Sequence, residues 1–302
     1  MLRWIGLVFV SAALVAPSQA MLYYNNGNAT NLTDPGTGVP FDSVGKVTTS
    51  NGSGISGSAI YLGNGYVLTA NHVTTDATYR YVTFGSTVYE VDTAAFSGSM
   101  SKQVESGVDM KVLKLTSLPT VAAVSLLSSP IEQISAATLV SWGNGRDASV
   151  PLGTSTVNWG DETTSAHRWG INVPKFVDSI SYDSYTEDVI GTILGGPSPT
   201  YTPPGVGNDE AAVTLNDSGS GLFQQIAGTW YLIGLTVTTE TFGSSTFGND
   251  QSSGIRGDAD YFVRISSYDD AIMAVIPEPS IASLLGLTVF TLTLASRRGR
   301  QA

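Results

Sequence analysis

From Phe41 onward the chain is written in short apolar runs broken by small and turn-forming residues. The runs are rich in Val, Ile, Thr, Tyr and Leu, and Gly, Asn, Asp or Ser closes each one. Such runs suit a pleated, half-buried surface, and the breaks supply turns. The segment Ser58–Thr69 carries the pattern in miniature. Strands over Ser58–Leu62 and Tyr66–Thr69 flank Gly63-Asn64-Gly65, a strong hairpin signal. The same reading predicts strands over Val44–Thr48, Tyr79–Phe84, Thr87–Val91 and Met110–Leu115, with no helix signal beyond about two turns in this half. A softer stretch from Ser117 to Gln133 divides this series from a second. There the predicted strands are Ala137–Trp142, Ser155–Trp159, Arg168–Val173, Ser179–Tyr182, Asp188–Leu194, Ala211–Leu215, Gly221–Gln225, Trp230–Val237 and Tyr261–Ile265. The loop over Gly195–Asp209 interrupts that series, and a short helix over Ser267–Val275 closes it. Many short strands in two similar halves imply an all-β chain, built as two barrels or as one large sandwich.

The chain has 302 residues, only 13% of them charged, and a net charge of −11. That balance repels nucleic acid and anionic membrane surfaces, so neither is expected as a partner. There is no cysteine, which removes thiol nucleophiles, zinc–thiolate centres and disulfide staples together. The core alone must hold the fold.

The two ends read as addresses rather than structure. Residues 1–20 have Arg3, an apolar run from Trp4 to Ala16, and a small-residue end at Ser18-Gln19-Ala20. This predicts a secretory signal peptide cleaved after Ala20. Residues 21–40 are rich in Asn, Gly and Thr and predict an irregular lead-in. At the other end, Pro277-Glu278-Pro279 precedes an apolar run from Ile281 to Ala295 and then Arg297, Arg298 and Arg300. A helix over that run rises about 22 Å, short of a hydrocarbon core of about 30 Å. The order over 276–302 resembles the PEP-CTERM sorting tail of Gram-negative bacteria. That resemblance implies transient anchoring in the inner membrane, removal by an exosortase-like enzyme, and a final place at the cell surface or in the extracellular matrix.

Three residues carry the candidate chemistry. His72 follows the strand Tyr66–Thr69. Asp109 opens the strand Met110–Leu115. Ser218 sits among small residues in Asn216-Asp217-Ser218-Gly219-Ser220-Gly221. Read singly, each has an ordinary structural explanation: a hydrogen-bonded histidine, a loop acid, a flexible turn. The second histidine, His167, lies in a polar loop and reads as a surface or hydrogen-bonded structural residue. Read together, an imidazole, a carboxylate and a glycine-flanked hydroxyl come in the order His, Asp, Ser. Serine becomes a nucleophile only when a base takes its proton, and the base must be fixed in one tautomer by a third group. The order of the three distinguishes one serine-hydrolase fold from others that share the geometry.

The text around these residues resembles the chymotrypsin/trypsin-like serine proteases of bacterial type. "GSAIYLGNGYVLTANHV" is similar to the family's strand pair ending in Thr-Ala-Ala-His-Cys. "VDMKVLKL" matches its aspartate strand, "ATLVSWGNG" the strand opening the second barrel, and "LNDSGSGLF" its Gly-Asp-Ser-Gly-Gly-Pro-Leu. "WYLIGLTV" and "YFVRISSYDDAI" match the strands and helix that follow. The resemblance runs in order from about Phe41 to Val275. It implies two six-stranded antiparallel β-barrels, over 41–125 and 126–275, with a short C-terminal helix. It implies a serine endopeptidase without cofactor, acting on protein or peptide. Ser218 would be the nucleophile, His72 the base and Asp109 its orienting acid. The backbone N–H groups of Asn216 and Ser218 would form the oxyanion hole, and Val237, Thr238 and Thr239 would pair with substrate.

The departures set the alternatives. Asn216 stands where the family has glycine, Asn71 replaces an alanine, Val73 a cysteine and Ser220 a glycine. These leave a second reading open, an inactive protease-fold protein used as a surface binding or matrix module. No activation-site sequence appears. Ala212 stands where an acid would select Lys or Arg, and Thr239 stands at a pocket-rim glycine. Both point away from trypsin-like specificity and toward small or medium apolar side chains, unless Asp260 reaches the pocket floor.

Overall fold

The described part of the chain holds sixteen strands, one α-helix and a 3-10 turn over Phe41–Ser43. The computed structural model describes residues 21–23, 31–132, 135–145, 165–194, 209–214, 216–240 and 259–276. The predicted signal peptide, the strand over Ser155–Trp159, most of the loop over Gly195–Asp209 and the PEP-CTERM-like tail lie outside these residues. Among the described residues no helix is long and apolar enough to cross a membrane.

The first sheet holds β2 (Val44–Thr48), β3 (Ile55–Gly63), β4 (Tyr66–Thr69), β5 (Tyr81–Phe84), β6 (Thr87–Glu90), β7 (Ser101–Gln103) and β8 (Lys111–Lys114). Its order is β6-β5-β2-β3-β4-β8-β7, antiparallel throughout. The two edges meet. Val91, just past β6, bridges Leu115, just past β8. The Asp92 N–H donates to the Lys114 carbonyl at 2.7 Å, and the Thr116 N–H to the Glu90 carbonyl at 2.9 Å. β6 and β7 therefore flank β8 on one side in succession, and the sheet closes on six strand positions.

The second sheet holds β9 (Ala137–Gly143), β10 (Ala166–Asn172), β11 (Phe176–Tyr182), β12 (Tyr185–Ile193), β14 (Gly221–Ile226), β15 (Thr229–Glu240) and β16 (Ala259–Arg264). Its order is β10-β9-β14-β15-β16-β12-β11. The edges β10 and β11 are consecutive in the chain, divided only by Val173, Pro174 and Lys175. Pro174 has no N–H for a ladder, which is why one path reads as two strands. Each half therefore counts seven strands where six were predicted, because one path in each is interrupted.

The lead-in is more ordered than its composition predicts. β1 (Leu22–Tyr23) pairs with β13 (Ala211–Ala212), and Met21 and Tyr23 are buried in the second core. The indole N–H groups of Trp169 and Trp230 donate to the carbonyls of Thr33 and Thr37 at 2.9 and 3.1 Å. Residues without apolar periodicity are thus pinned by distant tryptophans, a contact no local pattern encodes. The largest apolar cluster runs from the first barrel through Val140, Phe223, Leu232 and Leu235 to Ile265 and Ile272 of α1 (Ile265–Val275). One continuous core fixes how the halves face each other.

Phe223 is fully buried in that shared cluster, whereas Leu118 is 65% exposed. Phe223→Ala is expected to cost about 3–5 kcal/mol, and Leu118→Ala to stay within about 0.5 kcal/mol. Urea unfolding of the two variants beside the wild type measures both.

Candidate active site

The cleft between the two barrels is built from three turns. The first carries His72, directly after β4. The Asn71 N–H donates to the Asp109 carbonyl at 3.2 Å and the Val73 N–H to the Ala70 carbonyl at 3.2 Å. Lys111 of β8 clamps this turn from beneath. Its ammonium donates to the Asn71 carbonyl at 3.0 Å, the Val73 carbonyl at 2.5 Å and the Thr75 hydroxyl at 3.0 Å. Burial pushes the Lys111 ammonium down to about 8, against the opposing pull of Asp109. Val73 also packs on Gly57, where a Cβ would stand 2.6 Å from a Val73 methyl. Packing and a buried cation thus hold the His72 turn in a chain that has no cysteine.

The second turn carries Ser218. Asn216 has φ 70° and Gly219 φ 80°, both in the left-handed region that asparagine and glycine tolerate best. A Cβ on Gly219 would also lie 2.4 Å from the Ser58 carbonyl oxygen, so the position requires glycine twice over. Backbone bonds hold the loop from both barrels. The Ser58 N–H of β3 donates to the Ser218 carbonyl at 2.7 Å, and the Gly219 N–H to the Thr236 carbonyl of β15 at 2.8 Å. Asp217 is fully buried behind the loop. It accepts from the Ser141 hydroxyl, and from the Thr214 N–H at 2.5 Å and hydroxyl at 3.1 Å. Burial pushes the Asp217 carboxyl up to about 6, while those donors and the Arg168 charge oppose the rise. Among the described residues, the N–H groups of Asn216 and Ser218 have no backbone acceptor.

The third turn carries Asp109, which is fully buried, while the His72 side chain is 37% exposed. Asp109 Oδ1 accepts the His72 backbone N–H at 2.8 Å, and Oδ2 lies 2.5 Å from His72 Nδ1. His72 Nε2 lies 2.7 Å from Ser218 Oγ. A carboxylate only accepts, so Nδ1 carries the proton and Nε2 faces the hydroxyl with its lone pair. The arrangement can therefore draw a proton from Ser218 and hold it on the imidazole.

Beside Ser218 lies a cleft of about 180 Å³, lined by Val213, Thr214, Asn216, Ser218 and Thr236–Thr239. Val237, Thr238 and Thr239 thus line the cleft beside Ser218. Ala212 does not line the cleft: it is fully buried in β13, and Val213 and Thr214 take that place. Asp260 stands behind the wall, where its Oδ2 accepts the Val213 N–H at 3.2 Å. His167 is a half-buried structural residue, on a strand rather than in a loop. It lies on β10, stacked between Phe41 and Trp142 with ring centroids at 3.9 and 5.0 Å, and burial pushes its imidazole down to about 3. Two residues without any sequence signal also contact Asp109 from behind the cleft, Tyr182 and Glu187. They sit on the β11–β12 hairpin of the second barrel, where Tyr182 is in register with Tyr185 and Glu187 with Ile180.

No protein-family model matches the chain, and no curated protein matches its sequence. Solved structures do. The active form of the Rv3671c protease from M. tuberculosis gives a TM-score of 0.51 at 13% identity, over 92% of this chain and 95% of that chain. The inactive form of that protease gives 0.48 at 14% identity, over 82% and 95%. An HtrA-type protease, AlgW with a decapeptide, gives 0.46 at 18% identity, over 74% of this chain and 52% of that one. The chain has the chymotrypsin-like serine-protease fold.

Lys111→Met removes the donor from two carbonyls and a hydroxyl while filling most of the volume. The variant is expected to lose about 2–3 kcal/mol. Faster amide exchange at residues 71–75 than elsewhere in the first barrel checks that the loss is local.

Proposed function

We propose that the protein is an exported serine endopeptidase. The line Asp109–His72–Ser218, with contacts of 2.5 and 2.7 Å, carries the reading. As the Ser218 oxygen attacks a peptide carbonyl, its proton passes to His72 Nε2. The carbonyl π-electrons move to oxygen, and the C–N bond breaks as His72 returns that proton to the leaving amine. Water then repeats the sequence on the acyl-enzyme. Asp109 keeps the imidazole in the required tautomer and offsets its charge. The N–H groups of Asn216 and Ser218 meet the developing oxyanion, a stabilisation of about 3–4 kcal/mol for each donor. The left-handed φ of Asn216 supports that role for a residue that replaces glycine.

The cleft beside Ser218 is small, and its lining side chains are aliphatic, hydroxyl or amide. This supports cleavage after small uncharged side chains rather than after Lys or Arg. The signal-peptide text of 1–20 and the sorting text of 276–302 support export and surface sorting by an exosortase-like enzyme.

A fluorophosphonate probe is expected to label Ser218 in the folded wild type and to leave Ser218→Ala and His72→Ala unlabelled. Peptide hydrolysis should fall at least about a thousandfold in either variant. A folded wild type that takes no label would sink the peptidase reading in favour of a binding module. Peptide-library profiling tests the cleft separately, with Ala, Ser, Thr or Val expected before the cleaved bond.

A further inference from the structure

The β11–β12 hairpin leaves the second barrel and docks on the first. The Thr186 N–H donates to the Gly107 carbonyl at 2.8 Å, and Asn71 Nδ2 donates to the Tyr185 hydroxyl at 3.1 Å. The docking puts the Tyr182 hydroxyl 2.8 Å from Asp109 Oδ2 and 2.8 Å from Glu187 Oε1. Glu187 Oε2 accepts the Asp109 backbone N–H at 2.6 Å. Three oxygens therefore stand in a row: Glu187 Oε1, Tyr182 Oη, Asp109 Oδ2.

Each of the two O···O contacts in that row needs a hydrogen, and a phenol carries one. The second hydrogen cannot come from Asp109, whose Oδ2 already accepts from His72 Nδ1. Glu187 Oε1 is the place left for it. We propose that Glu187 is held as the neutral acid and donates to Tyr182, committing the Tyr182 proton to Asp109. Tyr182 and Glu187 are then positioning residues behind His72, a role that rests on the peptidase reading.

The surroundings agree with this proton count. Glu187 is buried, and burial pushes its carboxyl up to about 7. The Asp109 charge adds to the rise, while the Asp109 N–H, the Tyr182 hydroxyl and His72 oppose it. The other titratable groups turned toward it are Tyr185 and Tyr268, and burial pushes both up along with Tyr182. Lys111 faces Asp109 from β8, and its ammonium titrates near 8. When Glu187 ionises, two carboxylates compete for the single proton of Tyr182, and Asp109 loses part of its hold.

Glu187→Gln keeps the shape and cannot ionise, and its amide can donate to Tyr182 while its carbonyl accepts the Asp109 N–H. The folded protein keeps the Glu187 proton to about 7, whereas the ordinary value is 4.5. Stability from that proton is complete below the ordinary value and is lost as pH rises through about 7. Glu187→Gln is therefore expected to melt close to wild type at pH 5 and about 3 °C or more above it at pH 8.5. An offset that stays constant, or that turns against the variant as pH rises, places an anion at Glu187 and overturns the proposal. Fluorophosphonate labelling at pH 6.5 tests positioning. Tyr182→Phe and Glu187→Ala are expected to slow it about tenfold, and Glu187→Gln to stay within about twofold. Wild-type rates in the first two variants overturn the positioning role. If wild type itself takes no label, the peptidase reading fails, and the melting curves still decide where the proton sits.

Discussion

Asp109 is fully buried at the seam between the two barrels, and a carboxylate taken out of water is tolerated only where donors replace its hydration. Its donors come from both halves. His72 supplies a backbone and a ring N–H from the first barrel, and Tyr182 supplies a hydroxyl from the second. The barrels must dock in one register for all of these to arrive together. The shared apolar core makes that docking favourable, and the carboxylate makes it specific. The requirement that makes Asp109 costly to bury also aims His72 at Ser218.

The Ser218 loop obeys a similar rule. Asp217 is buried behind it and is satisfied by Ser141 from β9 and by Thr214. β9 comes close enough because Gly143 has no side chain: a Cβ there would stand 2.0 Å from Asp217 Oδ1. Two buried acids, one behind each half of the cleft, thus tie the reactive turns to strands of both barrels. No covalent staple takes part. Lys111, which donates to three oxygens of the His72 turn, does by charge what a cross-link would do by connectivity.

Much of the frame was legible because strands depend on local alternation and turn chemistry. Val44–Thr48 and Tyr66–Thr69 begin and end where the text predicts. The failures share a cause. β7 is three polar residues, Ser101–Gln103, and forms only because β8 presents an edge. β1 gains its order from β13, nearly two hundred residues away. His167 reads as part of a polar loop, yet it lies on β10 with Phe41 and Trp142 stacked against it from other elements. Ala212 stands at the family's specificity position in the sequence, yet a short β13 paired with β1 turns it into the core. Tyr182 and Glu187 carry no mark in the sequence, and they meet Asp109 only because the hairpin docks on the other barrel.

The sequence by itself determined the all-β class of the fold, the place of most strands along the chain and the identity of the three residues in the line. Strand propensity, glycine at forced turns and the spacing of His72, Asp109 and Ser218 are all local or ordered along the chain. Only the tertiary structure decided which side chains stand behind those three, what lines the cleft, and how a buried acid shares its proton. Those depend on close approach between residues far apart in sequence. Hydrogen-bond energies change over tenths of an ångström, a distance that no pattern in a single chain of letters can carry.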